Sequence, residues 1–278
     1  MSNTAKIYGY NFTRENIFSS FKIIPEYSNS QVVNELADDS NQYHLTGTLE
    51  IDLANICNID NFIFIIQEIL SFIDQRDVLI IKDKGENDLP KSLVGYRRNG
   101  SGEVVGKDCL FSNSRTLFIE KCYQALTNNS DPNLEIFRSS FFKVLEVFRA
   151  RKDFIEITYF LLFSALESLS RAVLNDLDTK NSAVPIAKLL QQYGFDIKQD
   201  NHSQPIKAVS SYAHVRNALF HNAFFQVQKN INGTAIDFKI TDYISPLNRL
   251  LPLVIMKYIQ FDDNHINWNC WLDRQPFK

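Results

Sequence analysis

The hydrophobic periodicity of the chain changes near residue 128, and that change restricts it to a fold built from two kinds of structure. Before this point apolar and polar residues alternate in short runs. Residues 43–53 put Leu45, Leu49, Ile51 and Leu53 on one face and Thr46, Thr48, Glu50 and Asp52 on the other, the signature of a half-buried strand. Gly47 interrupts the apolar face and marks a bulge or a close approach of backbone. Residues 6–12, 21–27 and 77–82 are further strand expectations, Pro25 confining the second to an edge. Residues 61–72 carry an apolar stripe at helical spacing. Residues 114–122 fit either a strand or the start of a helix. The segment 98–103, Arg-Asn-Gly-Ser-Gly-Glu, predicts a turn.

The polar stretch Asn128-Asn-Ser-Asp-Pro132 is the expected boundary between a mixed α/β part (1–128) and a helical part (129–278). Beyond it, residues 134–151 place Leu134, Phe137, Phe141, Leu145 and Phe148 at helical spacing. Asp153 and Glu156 form a capping-box pattern for the next helix, to about residue 175. That helix is apolar nearly all round and is expected at the centre of a bundle. A helix over 183–193 closes on Gly194. Ser203 and Pro205 open another, running to about 224. Residues 225–240 alternate around Asn232-Gly233, a β-hairpin. A last helix is expected over 246–258 with Pro252 as a kink, and a tail with Trp268 and Trp271 packing back. The fold class is thus α+β: a mixed domain, then a helical bundle with a hairpin insertion.

Charge and composition remove several function classes. The net charge is −3, whereas proteins that coat nucleic acid are usually basic, so any nucleic-acid contact must be local. The four cysteines, Cys57, Cys109, Cys122 and Cys270, form no Cys-x-x-Cys pair and indicate neither a zinc cage nor a disulfide framework. No apolar signal core opens the chain. The most apolar run, 154–169, contains Glu156, Ser164 and Glu167 and is too short and polar for a membrane span. A cytoplasmic protein with no membrane partner, metal or cofactor is the expectation.

The chemistry-bearing segment is Val215-Arg216-Asn217-Ala218-Leu219-Phe220-His221-Asn222. Arg216, a following Asn217 and His221, on a helix flanked by long apolar helices, resemble the motif of the HEPN superfamily (higher eukaryotes and prokaryotes nucleotide-binding domains). Ala165-Leu166-Glu167 in the preceding apolar helix resembles the ApeA-like abortive-infection branch. The resemblance covers residues 132 to 260. It implies a metal-independent endoribonuclease, a toxin or phage-defence effector, leaving a 2′,3′-cyclic phosphate and a 5′-hydroxyl. Arg216 and His221 would be the catalytic pair. An imidazole changes charge near neutrality and can move a proton, and a guanidinium offers a permanent charge and a planar donor fork to the phosphate. Five residues at about 100° each put the two side chains about 140° apart on one helix, a gap that family members close by dimerising. A homodimer with a shared site is therefore expected, with RNA as substrate. Asn217, four residues before His221, Glu167 as a partner of Arg216, and His214 on the same face as His221 are supporting candidates. Tyr212 lies four residues before Arg216. Some family members carry Tyr two residues after the His; this chain has Ala223.

Each of these residues also has a plainer reading. An amphipathic helix carries ion-pairing and half-buried residues as a matter of course. The runner-up function is a non-catalytic module of this type that binds RNA, a nucleotide or a protein. In the ribonuclease reading the first 128 residues would sense a trigger or hold the active half in check, as a seat for a trigger or inhibitor protein. Three other signals are weaker. Residues 102–108 imitate a phosphate loop, but the spacing is one residue short and Asp108 replaces the required hydroxyl; a hairpin is the better expectation. Lys82, Lys84, Lys91, Arg97, Arg98 and Lys107, with Tyr96 among them, make a basic stretch that fits a solvated loop better than a nucleic-acid surface. Asp262-Asp263-Asn264-His265 has metal-ligand residue types without a geometry.

Overall fold

A computed structural model describes residues 4–83, 89–97, 102–150, 152, 154–231 and 233–278. The chain is α+β and divides into two compact units. One comprises residues 1–128, 148–152 and 263–266, the other 129–147, 153–262 and 267–278.

The first unit is organised on strand β4 (Gln42–Ile51). It pairs antiparallel with β3 (Phe21–Pro25) on one side and β1 (Thr4–Tyr8) on the other. β2 (Asn16–Ile17) extends the sheet beyond β3, β5 (Leu79–Lys82) beyond β1, and β6 (Ser92–Val94) pairs with the start of β4. The alternation of residues 43–51 produces this strand as expected: Tyr43, Leu45, Leu49 and Ile51 are buried and Glu50 is exposed. Leu53 departs from the expected face, because the strand ends at Ile51 and leaves it exposed. Both expectations for Gly47 hold. A Cβ there would lie 2.4 Å from Phe12 Cζ and 2.6 Å from the Ile24 carbonyl oxygen. The register with β1 also slips beside it, between Ile7 and Tyr8. Thr46 sits at the slip and is fully buried despite its place in the polar alternation. Its hydroxyl accepts from the Tyr10 amide (3.1 Å) and donates to the Ile7 carbonyl (3.4 Å), so bulged backbone groups keep partners. β1 stops at Tyr8, short of the expected residue 12, because Gly9 turns into the left-handed region (φ 80°).

Three helices accompany the sheet: α1 (Ser30–Asp38), α2 (Ile59–Ile73) and α3 (Ser114–Thr127). Asn29 caps α1, accepting from the Gln31 and Val32 amides, and Asn58 caps α2, accepting from Asn61, which supplies orphan amide donors with an acceptor. Residues 114–122, open between two readings, are helical: Arg115, Phe118, Ile119, Cys122 and Leu126 are buried at helical spacing. Phe21 of β3 meets Phe62 of α2 edge-on (5.1 Å), and Phe72 of α2 stacks on Phe118 of α3 (5.8 Å).

Buried charge is the other feature of this unit. Arg149 donates to Glu68 through two nitrogens (2.6 and 2.7 Å) and to the Ser71 hydroxyl (3.1 Å), with Nε 3.0 Å from Asp77. Arg97, placed by the sequence in a basic surface stretch, is 5% exposed. It donates to the carbonyls of Asp77, Ala37 and Gly9 at 3.0, 2.6 and 2.7 Å. Lys107 is held by Glu103 and Asn34. The phosphate-loop imitation is not a hairpin either. Residues 102–108 hold no strand; Val104 and Val105 are buried, and Asp108 accepts from the amides of Thr13 and Arg14 (2.7 Å each). The expected turn at 98–103 lies largely outside the described residues, as do Lys84 and Arg98.

Asp74 gives this unit a pH dependence. Its carboxylate accepts from the Asn11 amide (2.7 Å) and lies 3.2 Å from Arg115 Nη2. Burial outweighs both and pushes its pKa up to about 6, whereas an unfolded aspartate titrates near 3.9. The fold holds that proton more tightly, so the stability it contributes is present below about pH 4 and is lost as pH rises through about 6. The depressed carboxyls Asp39, Asp176, Asp196 and Asp273 act in the opposite sense and at lower pH. Urea midpoints are expected to fall between pH 4 and 6 and to flatten in Asp74→Asn. A slope unchanged by the substitution contradicts this.

The second unit packs α5 (Ile155–Leu174) against α6 (Ala183–Gln192), α7 (Val209–Asn222) and α8 (Ile240–Tyr258). It also meets α4 (Leu134–Arg149), whose Ser140 hydroxyl donates to the Ala165 carbonyl (3.2 Å). α5 is thus central, as its composition required, yet one stripe stays uncovered: Ile157 and Phe160 are 54% and 46% exposed. It alone among the described helices is long and apolar enough to cross a membrane, and 44% of its most apolar window is buried inside the protein. Asp153, expected as its cap, lies outside the described residues; Phe154 occupies the cap position without a side-chain bond.

α6 closes on Gly194 (φ 85°). Two helix starts differ from expectation. Residues 205–207 form a separate 3-10 turn and α7 begins at Val209, because Lys198 pairs its amide with the Lys207 carbonyl and its carbonyl with the Val209 amide (2.9 Å each), which holds Ala208 extended. α8 begins at Ile240, directly after the hairpin β7 (Gln226–Ile231)–β8 (Thr234–Lys239), and contains both Pro246 and Pro252. Gly233 supplies the positive φ of the turn (83°); Asn232 is outside the described residues. The tail returns as expected: Trp271 of α9 (Cys270–Asp273) is buried and Lys257 lies 3.6 Å over the Trp268 ring.

Candidate active site

Helix α7 carries Arg216, Asn217 and His221 on its last two turns. Its buried side, Tyr212, Ala213, Val215, Ala218 and Leu219, faces the bundle, so the motif residues are left towards solvent by exclusion. Tyr212 belongs to the packing. Its hydroxyl donates to the Ile206 carbonyl (2.9 Å), its own carbonyl accepts from Tyr159 (2.9 Å), and its ring meets Tyr243 edge-on (5.0 Å).

Arg216 is positioned from α5. Its Nη2 lies 3.6 Å from Glu167 Oε2, its guanidinium carbon 5.7 Å above the Phe163 ring, and its Nη1 donates to Asn217 Oδ1 (2.9 Å). Glu167 is itself fixed by Arg171, one turn on, which donates to Oε1 from two nitrogens (3.1 and 3.0 Å). Arg171 in turn donates to the carbonyls of Asp176 and Thr179. The Arg216 side chain keeps 36% of its surface open. The structure therefore brings Glu167, Arg216 and Asn217 together and adds Phe163 and Arg171, which sequence reasoning did not name. The Glu167/Arg171 pair was readable as an i,i+4 spacing; the ring beneath Arg216 requires knowing how α5 and α7 cross.

His221 stands apart from that cluster. It is exposed and forms no hydrogen bond with any described residue. His214 is directed elsewhere: its ring lies 5.5 Å from Phe238 of the hairpin. Burial, with Lys229 nearby, depresses its pKa, opposed by Asp200. Beside His221 is an apolar surface in which Phe220 meets Phe160 (5.0 Å), both about half exposed, with Phe224 and Phe225 following in the chain, also exposed. The Asp262–His265 segment is a turn: Asp263 Oδ1 accepts from the amides of His265 and Ile266, and the His265 ring lies 4.4 Å from Phe111.

Immediately after the motif, α7 closes by a left-handed residue. The amide of Ala223 donates to the Leu219 carbonyl (2.9 Å) and that of Phe224 to Ala218 (3.1 Å), with Ala223 at φ 54°. An alanine there bears a steric penalty that glycine does not. Ala223→Gly is expected to stabilise the protein by about 1 kcal/mol, measured by urea denaturation; a loss of stability contradicts the assignment of strain.

This arrangement offers one oriented, part-exposed guanidinium and, separate from it on the same helix, one solvent-facing imidazole. No family model matches the chain, and neither a curated protein nor a solved structure shows significant similarity to it.

Proposed function

We propose that the protein is a metal-independent endoribonuclease of HEPN type, with Arg216 and His221 as its catalytic groups. The observation that carries this reading is the contrast within the motif. Arg216 is held by Glu167, Phe163 and Asn217, while His221 is exposed and forms no hydrogen bond with any described residue. A guanidinium fixed in place is suited to phosphate charge, and a solvent-facing imidazole is free to exchange a proton with a ribose hydroxyl or leaving oxygen. α4, α5, α7 and α8 supply the helical frame of the reading, and the hairpin is its insertion.

The site is completed in this reading by a second copy of the chain. Phe220, next to His221 in the chain, meets Phe160 (5.0 Å), and both are exposed, as are Phe224 and Phe225 shortly after the motif; exposed apolar surface of this kind supports an interaction site. A homodimer would place two motifs along one cleft. The first unit acts as the sensor of a trigger or the seat of an inhibitor, and the protein works in the cytoplasm as a toxin or defence effector. The test is incubation of purified protein with RNA in EDTA, with analysis of the product ends. Cyclic 2′,3′-phosphate and 5′-hydroxyl termini are expected; intact RNA contradicts the reading.

A second reading draws on the commitments of Arg216. A guanidinium already engaged by a carboxylate, an amide and a ring serves equally in a non-catalytic module that binds RNA, a nucleotide or a protein. Saturable RNA binding without cleavage distinguishes it.

A further inference from the structure

A second site lies on α8, away from the motif. Asp242, Ser245 and Arg249 of α8 line a cleft of about 340 Å³ together with Trp271 and Leu272 of α9 and the following Arg274. That volume lies within the range of small-ligand sites, roughly 300–1,000 Å³. Among the described residues neither Arg249 nor Arg274 has an ion pair or side-chain hydrogen bond, and the Ser245 hydroxyl has no partner. Both guanidiniums line one cleft without a described carboxylate at ion-pair distance, so an anion entering it meets two open donor forks.

Three further features define what that anion carries. The cleft borders the start of a nineteen-residue helix whose N-cap, Lys239, supplies no side-chain bond; the Ile240 amide is taken by the Phe225 carbonyl, and the positive end of the helix dipole favours negative charge. Pro246 lacks an amide hydrogen, which deprives the Asp242 carbonyl of its helical donor. The Asp242 carboxylate, which among the described residues accepts only a long bond from Thr241 (3.4 Å), also lines the cleft. The wall therefore combines two cations with strong acceptors, a pairing suited to a ligand that has both a dianion and hydroxyl donors.

We propose that this cleft binds a small phosphate monoester bearing neighbouring hydroxyl groups. Arg249 and Arg274 take the phosphate oxygens, as planar donor forks do. Asp242 and Ser245 take the hydroxyls. The proposal does not depend on the ribonuclease reading.

The test is isothermal titration of the full chain with ribose 5-phosphate, adenosine 5′-monophosphate, inorganic phosphate and ribose. Ribose 5-phosphate is expected to bind saturably, ribose not at all, and inorganic phosphate more weakly than the ester. The nucleotide arm decides whether the source is a free sugar phosphate or a nucleotide. Arg249→Gln and Arg274→Gly are each expected to weaken binding by about tenfold or more, the loss of a charge-assisted bond. Arg274 has φ 69°, where glycine is favoured, so Arg274→Gly should melt no earlier than the wild type, which separates lost binding from lost folding. Absence of saturable binding by either ester at millimolar concentration overturns the proposal. So does binding that survives both substitutions. Inorganic phosphate binding as tightly as the esters overturns the hydroxyl assignment.

Discussion

His221→Ala is expected to slow RNA cleavage by about 10²–10⁴-fold, the usual contribution of a positioned general acid or base, while leaving the thermal midpoint unchanged. Both parts follow from the same observation: the side chain is exposed and forms no bond within the described chain, so its removal costs the fold nothing. Arg216→Ala is expected to lose about 10²–10³-fold, the scale for removing one stabiliser of developing charge. Arg216→Lys should recover little, because an ammonium cannot reproduce the fork that reaches Glu167 and Asn217 together. Mixing the two inactive variants adds a check on the shared site. If each site draws its groups from two copies, mixed dimers regain part of the activity. Cleavage that persists in both single variants removes the proposed pair. A fall in activity that parallels a fall in thermal midpoint assigns the motif to packing alone.

The largest stability effect is expected at Arg149. This guanidinium meets Glu68, Ser71 and Asp77 at once, and Glu68 is almost fully buried, 3% exposed. Arg149→Met should therefore cost about 3–5 kcal/mol, most of it the penalty of leaving the Glu68 carboxylate desolvated and unpaired. Glu68→Met in the same chain should return much of that loss, since an apolar pair of similar volume has no charge to solvate. Chemical denaturation of the two single variants and the double variant measures the coupling. A loss below about 1 kcal/mol in Arg149→Met, the range of exposed pairs, contradicts this account.

Elements whose pattern is local were legible in the sequence. The alternation of 43–51, the Gly233 turn, the Gly194 stop and the apolar α5 each follow from a handful of adjacent residues. Elements set by distant partners were not. α1 buries only Val33 and Ala37, too little periodicity to announce a helix. The start of α7 is fixed by Lys198, eleven residues earlier, and β6 exists only as a partner of β4. Arg97 read as a surface cation because its ligands are main-chain carbonyls from three separate segments, invisible in a charge pattern. The site divides the same way. Arg216, Asn217 and His221 stood out by spacing, and Glu167 by its place in α5. Phe163 emerged only from the packing of α5 against α7, Arg171 was readable as the i,i+4 partner of Glu167, and His214 was drawn away by Phe238, a residue of the hairpin.

The junction between the hairpin and α8 has a mechanical consequence. β8 ends at Lys239 and α8 begins at Ile240, whose amide donates to the Phe225 carbonyl at the foot of the opposite strand (2.9 Å). No residue intervenes between β8 and α8, and Phe238 of β8 is buried beside His214 of α7 and Tyr243 of α8, so the hairpin and the nineteen-residue helix have no hinge between them. A displacement of the hairpin is therefore passed both to the first turn of α8 and, through Phe238 and His214, to α7.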